Sequence, residues 1–161
     1  MDKSKKAALL FRLLAVAATV SASIVMATSH QTTVVFNVAI EAKYSQTPAF
    51  RFFIIANAVA SIHGILILFL PPKGLLWRVV VALDLVVVML LVSSLSAAGA
   101  IAQVGKKGNN YAGWMPICDQ VKAFCDHVLG ALIAGVIGLL IYFGLLLHSI
   151  HTVLNPLLLK D

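Results

Sequence analysis

Four apolar runs constrain this chain more than any other feature of its sequence. They cover residues 7–28, 50–70, 77–102 and 127–150, each about the ~20 residues that a helix needs to cross ~30 Å of hydrocarbon. A bilayer core offers no water to backbone N–H and C=O groups, so each run must close its hydrogen bonds internally as a helix. The expected fold class is all-α: a single four-transmembrane-helix bundle over residues 1–161, with its two longer loops, 29–49 and 103–126, on one side. Composition agrees. The chain is 61% hydrophobic and 11% charged, whereas soluble domains run to ~45–50% and ~25%.

The first run follows a basic start, Met1 to Lys6, and contains Ser21-Ala22-Ser23, which resembles a cleavage site. It is nonetheless too long for a typical signal-peptide core and contains Arg12, so it reads as a span. Four spans put both termini on one side. That side holds Lys3, Lys5, Lys6, Lys73, Arg78 and Lys160, with Arg12 just inside; the other holds Lys43, Arg51, Lys106, Lys107 and Lys122. The flank of the first segment often dominates orientation, so the termini are expected to be cytoplasmic. The net charge of +6 forms no basic stripe. It reads as contact with anionic membrane lipids and not with nucleic acid.

A carboxylate, Asp84, sits inside the run Arg78 to Leu90, where an unpartnered charge is costly. Its partners follow from depth. Asp84 lies six residues past Arg78, and Arg12 six past Lys6, so both sit about 9 Å into the membrane. His63 in the second run and Tyr142 in the fourth reach nearly the same level. Arg12, Asp84, His63 and Tyr142 therefore form one intramembrane polar layer. Their helical faces carry small residues: Ala56 and Ala60 beside His63, and Gly130, Ala134 and Gly138 leading to Tyr142. Such stripes let helices approach closely, so the polar groups are expected to face the bundle. The layer reads as an ion pair fixing helix register, ahead of an ion or proton path.

Second small-residue stripes, Ala18 with Ala22, Asn57 with Ser61 and Gly64, and Ala131 with Gly135, are expected to face other protomers, since lipid-facing surfaces do not need them. On that reading a Leu at Gly64 or Gly135 weakens association and leaves the monomer folded. No catalytic constellation, phosphate loop or zinc-type Cys/His spacing is present. The histidines do not meet at one depth as haem ligands would, so no cofactor or metal is expected.

In the first long loop, residues 32–40 alternate imperfectly, which reads either as a short extracellular β-strand across the bundle top or as an irregular loop with apolar anchors. In the second, Cys118 and Cys125 are seven residues apart. One straight helix would hold their Cα atoms ~10.5 Å apart, beyond the ~7 Å reach of a disulfide. A bridge therefore requires a broken segment, and an oxidising compartment favours the bridge.

The stretches around Arg12 (residues 11–28), residues 42–59, the Asp84 run and residues 108–128 together resemble the CASP-like family, relatives of the Casparian strip membrane domain proteins, closest to its first subgroup and similar to MARVEL-type four-span proteins. The resemblance covers nearly the whole chain. It implies a multi-pass plasma-membrane scaffold that forms homo-oligomers, and hetero-oligomers with related four-span proteins. It also implies shared intramembrane residues at Arg12 and Asp84. Casparian strip members organise a membrane domain and position wall-modifying enzymes; residues 34–50 here depart from their first-loop signature. The function expected is therefore a non-catalytic scaffold, the alternative being a small channel or transporter, or an accessory subunit of one. Claudins, the nearest rival architecture, carry their W…C…C motif in the first outer loop, whereas these cysteines lie in the second.

Overall fold

A computed structural model of the chain describes residues 3–35, 38–69 and 75–158. Helix α1 (Lys3–Ala27) leads into a hairpin of β1 (His30–Val35) and β2 (Val38–Lys43), then a single 3-10 turn (Tyr44–Gln46). Helices α2 (Pro48–Leu68), α3 (Leu75–Lys107) and α4 (Lys122–Leu158) follow, with a second 3-10 turn at Asn110–Ala112. The stretches Lys6–Ala27, Pro48–Leu68, Arg78–Lys107 and Lys122–Thr152 are each long and apolar enough to span a membrane. The Pro71 to Gly74 stop, read from sequence as the end of the second run, lies outside the described residues.

Three helices outrun their apolar segments: α1 starts at Lys3, four residues before its run, α3 continues through Gly105 to Lys107, and α4 covers Lys122–Leu158 around the run 127–150. Gly108 ends α3. Its φ is +68°, and its N–H returns to Val104 O at 2.7 Å. A side chain there would be strained, and its Cβ would stand 2.6 Å from Trp114 O. Pro48 opens α2, where its fixed φ suits the first helical position and its missing N–H costs nothing.

The helices form a ring in chain order: α1 packs on α2 and α4, and α3 on the same two. Bulk is distributed for a bilayer. Ala15, Ala22, Ala56, Ala60, Ala98 and Ala131 are fully buried, while Leu10, Ile55, Ile62, Met89 and Leu140 point outward. Small residues bring the backbones together, and branched ones meet lipid. One core cluster, around Met26, Phe50, Phe53 and Phe124, fills the loop end; another, around Leu91, Tyr142, Leu145 and Leu146, fills the terminal end.

The alternating stretch at 32–40 is not one strand but part of a two-stranded antiparallel hairpin, with His30 opposite Lys43 and Val35 opposite Val38; Phe36 and Asn37 lie outside the described residues. Alternation reports a half-buried ribbon but carries no mark of where it reverses. The hairpin turns Gln31, Thr33 and Ala42 toward the bundle, while His30, Thr32, Val34, Ala39, Glu41 and Lys43 are more exposed. Gln31 Oε1 accepts the Phe124 N–H at 3.0 Å, satisfying a donor that the first turn of α4 otherwise leaves open.

Candidate functional site

The centre of the bundle's terminal half holds a carboxylate that two cations or donors share. Asp84 is 1% exposed. Its Oδ2 accepts from Arg12 Nη2 at 3.1 Å, and its Oδ1 accepts from His63 Nε2 at 2.8 Å. Helices α1 and α3 are not neighbours in the ring, so the Arg12–Asp84 contact crosses the bundle, and His63 on α2 closes the angle. Tyr142, from α4, enters at the same level, but its hydroxyl donates to the Ala60 carbonyl of α2 rather than to the charges. Each helix thus supplies one member. The layer brings together all four residues that depth matching singled out.

The layer is enclosed. Arg12, Asp84 and Tyr142 are buried, and only His63 keeps partial exposure. Val87, Val88, Leu91, Ala15, Leu145 and Leu146 pack around it. Chemically it is a desolvated ion pair braced by an imidazole, with one Arg12 nitrogen, Nη1, left without a protein partner. Removing either charge strands the other among apolar side chains. Among the described residues no three His, Cys, Asp or Glu side chains gather around a common metal position. His30, His127, His148 and His151 are exposed.

A second polar contact escaped sequence reasoning. Thr19 of α1 and Ser61 of α2 share a hydrogen bond at 2.8 Å, both nearly fully buried. A carbonyl of its own helix also lies beside each hydroxyl, Ala15 O 3.0 Å from Thr19 Oγ1 and Asn57 O 2.8 Å from Ser61 Oγ; with one proton apiece, one hydroxyl donates across the pair while the other donates within its helix. Thr19 lies seven residues, two helical turns, past Arg12 on α1, and Ser61 on the second α2 stripe, but their pairing depends on which faces meet.

That choice corrects one expectation. The second stripes do not face outward. Ala22 and Ala131 are fully buried, Asn57 and Ser61 nearly so, and Gly64 and Gly135 lie inside as well. A Cβ on Gly64 would collide with the Tyr142 hydroxyl and lie 2.6 Å from Val16 Cγ2; one on Gly135 would lie 2.8 Å from Phe53 Cζ. In a ring, every helix presents two faces to neighbours, and both stripes are consumed there. Leu at either glycine therefore breaks the protomer itself. Of the first stripes, Ala56, Ala60 and Gly138 are buried and Ala134 half-buried, but Gly130 faces outward with open space around it.

At the loop end, Cys118 and Cys125 form a disulfide with Cα atoms 5.7 Å apart. The segment is broken as the bridge requires: Cys118 stands in a turn before α4 and Cys125 in its first turn. Both Ile117 and Cys118 N–H groups bond the Gly105 carbonyl, at 2.9 and 3.3 Å, tying the bridge to the end of α3.

Fold and layer together define a class: a four-span membrane protein with an arginine of the first helix paired to an aspartate of the third. The pattern of the Casparian strip membrane protein domain matches residues 1–141, and the chain belongs to the CASP-like family. It is 58% identical over 160 residues to CASP-like protein 1C2 of Populus trichocarpa, covering 99% of both chains. It is 60% identical over 144 residues to CASP-like protein 1C2 of Vitis vinifera, covering 89% of each. With CASP-like protein 1C1 of Arabidopsis thaliana it shares 55% over 152 residues, 94% of this chain and 93% of that one. No solved structure matches the chain.

Proposed function

We propose that this protein is a non-catalytic scaffold of the plasma membrane, with cytoplasmic termini, whose protomers associate with one another and with related four-span proteins to organise a membrane domain and position cell-wall-modifying proteins. The observation that carries the reading is the closed polar layer. Asp84 is saturated by Arg12 and His63 within one chain, and apolar packing surrounds it, so the most polar intramembrane group is spent on holding three helices in register. The outward surface of the same helices is broad and apolar, which suits lateral contact in a bilayer. The family relationship supports a membrane role.

The test is to count fluorescently tagged chains per particle by stepwise photobleaching in native lipid, with parallel ion and proton flux measurements on reconstituted vesicles. Scaffold behaviour gives a fixed number above one and no flux. A monomer at physiological density removes the scaffold reading, and flux abolished by Asp84→Asn installs the channel or transporter in its place.

A further inference from the structure

We infer that the free edge of β2 pairs with the same edge of a second copy of this chain, forming a continuous four-stranded sheet across two protomers. This deepens, and rests on, the self-association proposed above. The hairpin is two strands only, and among the described residues β2 pairs with no strand except β1. The Tyr44 N–H reaches Ser29 O at 3.4 Å, in register with Gln31 opposite Ala42 and Thr33 opposite Ile40. Antiparallel ladders alternate hydrogen-bonded and open pairs, so Ala39, Glu41 and Lys43 direct their backbone N–H and C=O groups away from β1, along an open edge. Such an edge is a template for another strand. The outer edge of β1 lies on the side packed against α4 and carries no acidic or lysine side chain.

The charges on β2 identify the occupant. Glu41 and Lys43 are exposed, and neither takes part in an ion pair among the described residues. Two β2 edges brought together antiparallel about Ala42 place Glu41 of each copy directly opposite Lys43 of the other, at hydrogen-bonded positions where both sets of free backbone groups meet. Sliding that register by two residues sets Glu41 against Glu41. A lysine alone blunts an edge, whereas an acid and a base two residues apart make it self-matching, as a two-fold interface requires. Orientation permits the pairing. The sheet rests one face on the N-terminal ends of α2 and α4, through Ala42 on the Phe50 cluster and Gln31 on Phe124. A two-fold axis normal to an antiparallel sheet then runs along the bundle, as it must for two copies in one membrane.

The test uses the full chain in native-lipid vesicles. Cys118 and Cys125 are bridged and no other cysteine exists, so an Ala42→Cys chain carries one thiol. At a non-hydrogen-bonded pair on the axis, two such thiols lie within disulfide reach, and mild oxidation should yield a covalent dimer; Ala39→Cys should not. Added to Ala42→Cys, Glu41→Lys should lower the dimer yield roughly fourfold, from about twofold for each of the two symmetric charge pairs. Adding Lys43→Glu as well should restore it. Multimers counted by photobleaching, with no cross-link through the thiol of the Ala42→Cys chain, overturn the edge pairing and leave self-association standing. A cross-link insensitive to the charge reversal, or not rescued by the swap, overturns the charge-matched register. Chains that count as monomers overturn both.

Discussion

Asp84→Asn tests the polar layer most directly, because it keeps the shape and removes the charge. In the native protein the carboxylate accepts from Arg12 at 3.1 Å and from His63 at 2.8 Å, at 1% exposure. An asparagine has one accepting oxygen, so its NH2 must face one of those two donors. Arg12, already lacking a partner for Nη1, is left as a buried cation with no anion. Breaking a buried pair by removing one partner costs roughly 3–5 kcal/mol in soluble proteins, whereas an ordinary hydrogen bond between membrane helices averages about 0.6 kcal/mol. The two figures are far enough apart to decide the case. Reversible unfolding in bicelles should place Asp84→Asn at about 3 kcal/mol or more. Arg12→Gln, which strands the carboxylate on His63 alone, should cost a similar amount. The double variant should cost less than the sum by about 1–3 kcal/mol, the coupling expected of contacting groups. A loss near 0.6 kcal/mol, or additivity within about 0.5 kcal/mol, refutes the buried ion pair as the element that sets register.

The glycines separate inside from outside: Gly64→Ala, whose Cβ meets Tyr142 and Val16, should destabilise by about 1–3 kcal/mol through overpacking, and Gly130→Ala, in mid-helix with open space around it, should raise stability by about 0.5–1 kcal/mol. Equal effects would contradict the placement of α4 in the ring. Under denaturing, non-reducing conditions neither Cys118 nor Cys125 should take up a thiol reagent, and Cys118→Ser should lower stability by about 2–3 kcal/mol, the loop-closure value for so short a span. Gln31→Leu removes the acceptor of the Phe124 N–H and should cost about 1 kcal/mol; hydrogen exchange should speed up at the first turn of α4, and protection unchanged there would show that the hairpin does not cap the helix.

Much of the architecture is legible without coordinates because the bilayer leaves a chain few options. Run lengths require four helices, and matched depth along antiparallel helices brings Arg12, His63, Asp84 and Tyr142 to one level, because helical rise is fixed at about 1.5 Å per residue. Depth is a one-dimensional quantity, and the sequence contains it. Azimuth is not. Which of two small-residue stripes on α2 or α4 faces a neighbour, that Thr19 meets Ser61, and that Gly64 is filled by Tyr142 all depend on the order of helices around the ring, and loops do not encode that order. The same holds at the loop end. Alternation marks a ribbon, but only the fold lays it across the ends of α2 and α4 and brings Gln31 to a helix start 93 residues away. A periodic signal states which residues share a face; tertiary packing decides what that face meets, since the energy of burial depends on the partner surface and not on the period.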